Sequence, residues 1–196
     1  MRPLPLLLML LCFSAPALAQ EAPPAPMARA VFAGGCFWCM EAEFEGTPGV
    51  ASVTSGYTGG TMKNPRYQDV GTGNTGHAEA VEVVYDPQKV SYKQLLDIYW
   101  SNIDAADAGG QFADRGSQYR TEIFVANDEE RQLAETSKKA REEKLHTPIA
   151  TRISPVAEFY PAEAYHQDYA KNNPVHYNAY KYGSGRVKRL KELNKN

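Results

Sequence analysis

Two hydrophobic patterns alternate along the chain and predict a mixed fold of strands and helices. Residues 29–35 (RAVFAGG) form a short apolar run that ends at a glycine pair, which is typical of a buried strand. Residues 77–85 (HAEAVEVVY) alternate between apolar and polar, which indicates a strand with one buried face. In residues 91–104 (SYKQLLDIYWSNID) the apolar side chains form one stripe, so we predict an amphipathic helix with Ser91 as its N-cap.

The remaining segments extend this series of elements. Residues 36–46 (CFWCMEAEFEG) place Phe37, Met40 and Phe44 at helical spacing, and Gly46 is expected to end that helix. We further predict strands within residues 50–60, 120–127 and 150–160, and helices within residues 128–146 and 162–172. The order strand, helix, strand, strand, helix, strand predicts an α+β fold of the ferredoxin-like type, a two-layer sandwich.

Polar loops rich in glycine connect several of these elements. The two longest, residues 61–76 and 105–119, have the composition of loops that build a site. Pro155 would place its strand at an edge or a bulge of the sheet. Residues 71–76 (GTGNTG) match a nucleotide-binding glycine motif, but they precede a strand instead of opening a helix, so we expect no nucleotide.

The N-terminal segment has the pattern of an export signal. Arg2 is followed by a short apolar run and by Ala17-Leu18-Ala19, a small-residue cleavage site, so residues 1–19 are predicted to be a secretory signal peptide. A retained N-terminal anchor is the alternative, although the run is short of the roughly 20 residues that span a bilayer. Residues 20–28 form a Pro/Ala-rich spacer. We therefore expect a single domain at 29–196, exported to the periplasm and not inserted in the membrane after cleavage.

The charge balance says little about function, whereas the cysteines reduce the number of candidate functions. The chain has 21 Lys and Arg, 23 Asp and Glu, and a formal net charge of −2, which does not suggest a nucleic-acid partner. The basic residues within 181–196 are expected to form a solvated tail or helix. Of the three cysteines, Cys12 lies in the predicted leader, so Cys36 and Cys39 are the thiols of the mature protein.

Four roles are open to this pair of thiols. A structural disulfide is a poor explanation, because the loop it would close is very short and stabilises little. A zinc site needs two more ligands, and the histidines show no standard spacing for them. Disulfide exchange of the thioredoxin type is disfavoured by the large side chains of Phe37 and Trp38 between the thiols. The fourth role is a nucleophile with a resolving partner.

Position favours Cys36 as the nucleophile. It lies where a strand ends and a helix begins, and we expect the helix N-terminus to lower its pKa. Cys39, one turn further, is close enough to form a disulfide with it. Glu79 falls on the apolar face of its strand, where burial would raise its pKa and make it a general acid; a frayed strand end with a surface carboxylate is an equally good interpretation.

The motifs GCFWC, SGYTGG, NPRY, TGHAEAV, DRGSQYR and AEAYHQDY together resemble the peptide-methionine (S)-S-oxide reductase (MsrA) family. The resemblance covers residues 29 to about 180 and implies a ferredoxin-like fold with additional helices and long active-site loops. It implies that Cys36 is the nucleophile, that Glu79 is the acid, and that Phe37 and Trp38 hold the substrate methyl group. It further implies that the sulfoxide oxygen is bound by Tyr67, Asp114 and Tyr119.

The resemblance also implies a reaction cycle without a bound cofactor or metal. Cys36 becomes a sulfenic acid, and an external thioredoxin-like dithiol completes the cycle. Many relatives resolve the sulfenic acid with a cysteine near the C-terminus, but this chain has none there, which leaves Cys39. Two other functions stay open: a general disulfide oxidoreductase, and a module that binds oxidised or Met-rich segments without turnover.

Overall fold

The computed structural model describes residues 26–195. The predicted signal peptide and residues 20–25 of the predicted spacer lie outside these residues, so the division of the chain stays a prediction. Within residues 26–195, no helix combines the length and the apolar character needed to cross a membrane.

The strands and helices follow the predicted order, with additions in the loops. The strands are β1 (Ala28–Gly34), β2 (Val50–Thr58), β3 (Ala78–Tyr85), β4 (Gly110–Gln111), β5 (Asp114–Arg115), β6 (Thr121–Val125), β7 (Arg152–Pro155) and β8 (Tyr160–Pro161). The helices are α1 (Phe37–Glu45), α2 (Tyr67–Gly71), α3 (Tyr92–Ser101), α4 (Asp128–Leu145), α5 (Tyr169–Asn172), α6 (Pro174–Gly183) and α7 (Arg186–Leu193), with 3₁₀ turns at Ser117–Tyr119 and Ala164–His166.

One sheet organises the molecule, and its strand order is β7-β6-β1-β3-β2-β8. The central strands β6, β1, β3 and β2 are antiparallel, and they are connected as β-α-β-β-α-β through α1 and α3. This confirms the predicted α+β fold. Residues of α1 and α3 pack on one face of the sheet, where the Phe32 ring stacks on Phe44 at 5.2 Å and on Tyr99 at 5.3 Å between centroids.

The predicted N-cap of α3 and the predicted end of α1 are both confirmed. Ser91 caps α3 and forms a reciprocal capping box with Gln94. Cys36 is the N-cap residue of α1, and Gly46 follows its last turn. These helices begin and end where their sequences direct, and this fixes Cys36 at the junction of β1 and α1.

The prediction of one strand in residues 150–160 was wrong. The segment forms two short strands at opposite edges of the sheet: β7 runs parallel to β6, and β8 pairs with β2. Pro155 ends β7, as expected for a residue without an N–H at an edge. The chain then crosses the second face, where Gly56 makes room: a Cβ there would lie 2.4 Å from Phe159.

The predicted helix at 162–172 is also interrupted. Gln167 acts as a bridge to the sheet, since its amide accepts from the Ser55 N–H at 2.9 Å and donates to the Ser55 carbonyl at 2.9 Å. Asp168 then adopts a left-handed conformation, with φ of 52°, before α5 begins. The hydrogen bonds of Gln167 to β2 thus interrupt the helix that the sequence pattern predicts.

The prediction of a solvated helix or tail for the basic residues within 181–196 is confirmed in its helical form. The segment belongs to α6 and α7, and most of its Lys and Arg residues are exposed, whereas Arg186 is only 1% exposed. The long loops are also more ordered than expected: the first contains α2, and the second contains the β4–β5 hairpin and a 3₁₀ turn. Both loops and the C-terminal helices meet at the N-terminus of α1.

Candidate active site

Cys36 lies between β1 and α1, in a position set by a tight turn. Gly35 has φ of +82°, and a Cβ on it would lie 2.6 Å from Gln111 Cβ, so only glycine fits this close approach. The two thiols are not equally accessible: Cys36 is 7% exposed and Cys39 is 0% exposed. Both are free cysteines. An external molecule can therefore reach Cys36 but not Cys39.

A cavity of about 60 Å³ opens beside Cys36. It has room for a few water molecules or for the end of one side chain. Eight residues line it: Cys36, Phe37, Trp38, Tyr67, Glu79, Asp114, Tyr119 and Tyr180. The structure thus brings together every site residue named from the sequence except Cys39, which is fully buried and does not line the cavity, and it adds Tyr180.

Glu79 is a buried carboxyl in this cavity. It is 3% exposed, and its Oε2 accepts a hydrogen bond from the Phe37 N–H at 3.0 Å. Burial raises the pKa of the carboxyl to about 8, against the opposing effect of the Phe37 hydrogen bond. The expectation of a buried carboxyl with a raised pKa is confirmed, and the alternative of a surface carboxylate is wrong. Glu79 therefore holds a proton at neutral pH.

The expected lowering of the Cys36 pKa by the helix N-terminus was wrong for the substrate-free site. Burial raises the pKa of the Cys36 thiol well above its ordinary value, and the neighbouring Cys39 and Glu79 raise it further. Burial therefore outweighs the helix N-terminus, whose first N–H donates to Glu79 instead of to the sulfur.

Cys39 has the lower pKa of the two thiols. Its hydrogen bond with Cys36 lowers the pKa of Cys39 to about 7, against the effect of burial, and Arg186 and Tyr177 lower it further. The dithiol as a whole therefore loses its first proton near neutral pH and holds its second proton more tightly.

Three phenols and a carboxyl surround the opposite side of the cavity. Burial raises the pKa of Tyr67 to about 12, and it also raises the pKa values of Tyr119 and Tyr180, so all three hydroxyls stay protonated donors. Tyr180 donates its hydroxyl proton to Asp114 Oδ2. Burial raises the pKa of Asp114, while the Tyr180 hydrogen bond opposes that rise.

The aromatic side of the cavity is built by Phe37 and Trp38. Phe37 is 1% exposed and belongs to the main core, which confirms the core interpretation; it also lines the cavity, and its substrate role stays a prediction. The Trp38 indole stacks on Tyr169 at 3.7 Å and donates its Nε1–H to His166 Nδ1 at 3.0 Å. These contacts fix the plane of the indole ring at the cavity.

Several residues of the site were not found from the sequence. His166 orients Trp38, and Glu163 accepts hydrogen bonds from the Tyr67 N–H and from the Tyr57 hydroxyl, both at 2.9 Å. Burial lowers the pKa of His166, which keeps its ring neutral and its Nδ1 an acceptor. Tyr180 lies in α6, where the sequence pattern gives no signal of a site because its role depends on tertiary contacts.

The described residues give no sign of a metal or nucleotide site. No cluster of three His, Cys, Asp or Glu suited to a metal ion occurs within residues 26–195. The glycines at 71–76 lie between the end of α2 and the start of β3. These glycines do not open a helix of the kind that binds phosphate groups.

A reachable buried thiol, a protonated carboxyl and phenol donors around one small cavity define a thiol enzyme able to protonate an oxygen atom. The family model for peptide methionine sulfoxide reductase matches residues 28–196. The chain is 54% identical over 160 residues to the peptide methionine sulfoxide reductase MsrA of Bacillus pumilus, covering 81% of this chain and 90% of that protein. The chain therefore belongs to the peptide methionine sulfoxide reductase family, and the enzyme is an oxidoreductase, a peptide-methionine (S)-S-oxide reductase.

Solved structures agree with this assignment. Methionine sulfoxide reductase A of Corynebacterium diphtheriae aligns with a TM-score of 0.69 at 34% identity, covering 76% of each chain. Reduced Mxr1 from Saccharomyces cerevisiae aligns with a TM-score of 0.74 at 29% identity, covering 79% of this chain and 90% of that one.

Proposed function

We propose that this enzyme reduces the S epimer of methionine sulfoxide, free or in proteins, with Cys36 as nucleophile and Glu79 as general acid. One observation carries the proposal: Cys36 and a protonated Glu79 line the same small cavity, with Tyr67 and Tyr119 as hydroxyl donors. A sulfoxide presents an electron-poor sulfur and a basic oxygen. The cavity offers a thiol that can attack the sulfur and proton donors that can bind the oxygen.

In the reductive step, the Cys36 thiolate attacks the sulfoxide sulfur while Glu79 gives its proton to the oxygen. The protonated oxygen then passes from the methionine sulfur to the Cys36 sulfur: the methionine S–O bond and the sulfur–sulfur bond of the adduct break, a Cys36 S–OH bond forms, methionine leaves as a neutral thioether, and Cys36 becomes a sulfenic acid. Tyr67 and Tyr119 donate hydrogen bonds to the oxygen as negative charge develops on it. The Phe37 and Trp38 rings provide the apolar surface for the methyl group.

The raised pKa of Cys36 is compatible with this role because Cys39 is its hydrogen-bonding neighbour. The dithiol loses its first proton near neutral pH, and the remaining proton moves to Cys39 when the Cys36 sulfur attacks. Cys36 thus acts as a thiolate without carrying a charge in the resting cavity, where burial would disfavour it.

The sulfenic acid is then resolved by Cys39. The Cys39 sulfur attacks the Cys36 sulfur, water leaves, and a Cys36–Cys39 disulfide forms. An external thioredoxin-like dithiol reduces that disulfide by attack on a sulfur and exchange. Because Cys39 is 0% exposed, the sulfur under attack is that of Cys36.

We also propose that the enzyme repairs oxidised proteins outside the cytoplasm. The support is the leader-like pattern of residues 1–19, with Arg2, an apolar run and a small-residue cleavage site. Fractionation of cells that express the full chain tests this: the expected result is a periplasmic protein that begins near residue 20.

The central experiment maps Cys36 and Cys39 by mass spectrometry after one turnover on an S-sulfoxide peptide. The expected product is one methionine and one Cys36–Cys39 disulfide per protein. In Cys39→Ser, Cys36 should carry a sulfenic acid that dimedone traps, and one equivalent of methionine should still be released.

Cys36→Ser should release no methionine from the same peptide. Reduction of a protein disulfide without reduction of the peptide would instead favour a general disulfide oxidoreductase. Binding of the peptide with both thiols left intact would favour a module without turnover.

A further inference from the structure

A second cavity lies between α3 and α4 and has a volume of about 380 Å³. It is lined by side chains of α3 between Lys93 and Ser101 and by side chains of α4 between Leu133 and Lys144. None of these residues lines the cavity beside Cys36. Pockets that hold small ligands have volumes of about 300 Å³ and above, so this cavity, the α3–α4 groove, has room for one.

The groove is elongated and has an apolar floor. On α4 its lining positions 133, 136, 137, 140, 141 and 144 recur at intervals of three and four, which is the spacing of one helix face. From Leu133 to Lys144 the helix advances about 16 Å, at about 1.5 Å per residue. Trp100, which is 4% exposed, and Leu133 supply apolar surface. An elongated ligand with an apolar body therefore fits the groove better than a compact ion.

The hydroxyl groups of α4 in the groove already have partners. Ser137 Oγ accepts a hydrogen bond from the Trp100 indole N–H at 2.9 Å and donates to the Ala134 carbonyl at 2.8 Å. Thr136 Oγ1 donates to the Gln132 carbonyl at 2.7 Å. Because these hydroxyl protons are used within the helix, recognition of a ligand depends on the charged side chains of the groove.

The charges in the groove are unbalanced toward positive. The one carboxylate that lines it, Asp97, pairs with Lys93 at 2.9 Å. Within residues 26–195, neither Arg141 nor Lys144 takes part in an ion pair. The part of the groove formed by these two residues, one turn apart on α4, therefore carries positive charge that no described carboxylate offsets.

Arg141 is the buried member of this pair of cations. It is 8% exposed, and its Nε–H is buried without a hydrogen-bond partner. Its Nη2 donates to Asn194 Oδ1 at 3.4 Å, which is a long hydrogen bond to a neutral group. Arginine keeps its charge in proteins, and a buried charge without a partner is costly. A carboxylate offers two acceptor oxygens to the planar fork of a guanidinium and would offset this charge.

Arg189 shows the arrangement that Arg141 lacks. The Nε–H of Arg189 donates to Asp104 Oδ2 at 2.7 Å, although this side chain is 48% exposed and water could solvate it. The more deeply buried Arg141 has no such partner among residues 26–195. The acceptor missing at Arg141 is thus one that a ligand in the groove can supply.

We propose that the α3–α4 groove is a second binding site of this protein, for a small amphipathic carboxylate. The carboxylate of the ligand binds Arg141 and Lys144, and its apolar body extends along Trp100 and Leu133. Binding is non-covalent. The site does not depend on the thiol chemistry, because it shares no lining residue with the cavity beside Cys36.

The test uses octanoate as the probe and the two tryptophans as NMR reporters. The Trp100 indole N–H reports on the groove, and the Trp38 indole N–H reports on the catalytic cavity. We expect octanoate to shift the Trp100 signal with a Kd of about 1 mM and to leave the Trp38 signal in place. Octanol, the neutral analogue, should bind about tenfold more weakly, and octylamine, the cationic analogue, should not bind.

Variants of the two cations test the head-group contact. Arg141→Met keeps an apolar side chain but removes the guanidinium, so octanoate should bind about tenfold more weakly. Lys144 is exposed, and Lys144→Met should weaken binding only about threefold. The control Lys139→Met removes an equal charge from an exposed position of α4 outside the groove and should leave the Kd unchanged. Methionine release from the sulfoxide peptide should match wild type in all three variants.

Several outcomes would overturn the proposal. One is a Trp100 signal that does not move up to the solubility limit of octanoate, and another is equal affinity for octanoate and octanol or in wild type and Arg141→Met. A shift of the Trp38 signal alone would place octanoate in the catalytic cavity. A Trp100 signal that depends on protein concentration without octanoate would assign the groove to a second copy of the chain.

The test does not depend on the folding of one variant. If Arg141→Met does not fold, Lys144→Met and Ala140→Phe replace it. Ala140 is an exposed residue that lines the groove, so the phenyl ring fills the groove without disturbing the core. Both variants should weaken octanoate binding, and unchanged affinity in both would reject the site.

Discussion

The two sides of the cavity are built by different means. On the sheet side, Cys36, Phe37 and Glu79 come from regular elements, a strand end, a helix start and an alternating strand. On the C-terminal side, within residues 162–193, His166, Tyr180 and their neighbours come from 3₁₀ turns and short helices. The sheet side holds the groups that we propose to react, and the C-terminal side packs against them, with His166 bonded to Trp38. We therefore expect chemistry to be lost on the first side, and binding or recycling to be altered on the second.

The largest effect is expected for Glu79→Gln. An amide cannot supply the proton that the departing oxygen needs, so single-turnover methionine formation should fall by about 10²–10⁴-fold. Glu82→Gln is the matched control, because Glu82 lies on the other face of the same strand and bonds the exposed Arg29 at 3.3 Å. An unchanged rate in Glu79→Gln would remove the general-acid role.

The same substitution should change the pH dependence of stability. The folded pKa of Glu79, about 8, lies above its value in the unfolded chain, so the folded protein binds the additional proton and stability falls as pH rises from about 4 to 8. Glu79→Gln removes this loss. Its free energy of unfolding, measured with urea at pH 5 and pH 8, should decline less than that of wild type, by at most about 3 kcal/mol. A parallel decline in both proteins would contradict the raised pKa.

The rate of the reductive step should follow a bell-shaped pH profile. It should rise as the dithiol loses its first proton near pH 7 and fall above about pH 8, where Glu79 loses its own proton. Beyond that pH, the single-turnover rate should drop up to tenfold per unit. In Glu79→Gln the fall in rate above pH 8 should disappear. If that fall persists in the variant, a group other than Glu79 causes it.

The smallest effect is expected on the C-terminal side. His166→Leu removes the acceptor of the Trp38 indole, a hydrogen bond of about 1 kcal/mol, so KM should rise about fivefold with little change in kcat. His166→Asn retains an acceptor near Nδ1 and should lie closer to wild type. A fall in kcat with constant KM would instead indicate that His166 takes part in the chemical step and does not merely orient Trp38.

Sequence-based prediction succeeded for the elements on the sheet side of the cavity and failed for much of the C-terminal side. Periodicity located β1, α1, β3 and α3, and it placed Glu79 on the buried face, because these elements obey local rules. It failed for residues 150–172, where Gln167 docks to the β2 backbone and Pro155 ends an edge strand, since both depend on the neighbouring strand.

The pKa values of the two thiols also could not be predicted from the sequence. Position at a helix N-terminus suggested a lowered pKa for Cys36, but the first N–H of α1 is used by Glu79, which is distant in the chain. Likewise, the basic C-terminal residues carried no sign that Arg186 is buried against Met40 of α1, because a charge run usually indicates a solvated surface. Both facts follow from tertiary packing alone.

The placement of Trp38 has a practical consequence for spectroscopy. Trp38 lies between the two sulfurs in the chain, within the first turn of α1, and its indole stacks on Tyr169 and bonds His166. Closure of a Cys36–Cys39 bridge would strain that turn and disturb these contacts. The other tryptophan, Trp100, bonds Ser137 between α3 and α4, away from the cavity. Trp38 is thus an intrinsic fluorophore whose emission can follow the redox cycle in real time, against a steady background from Trp100.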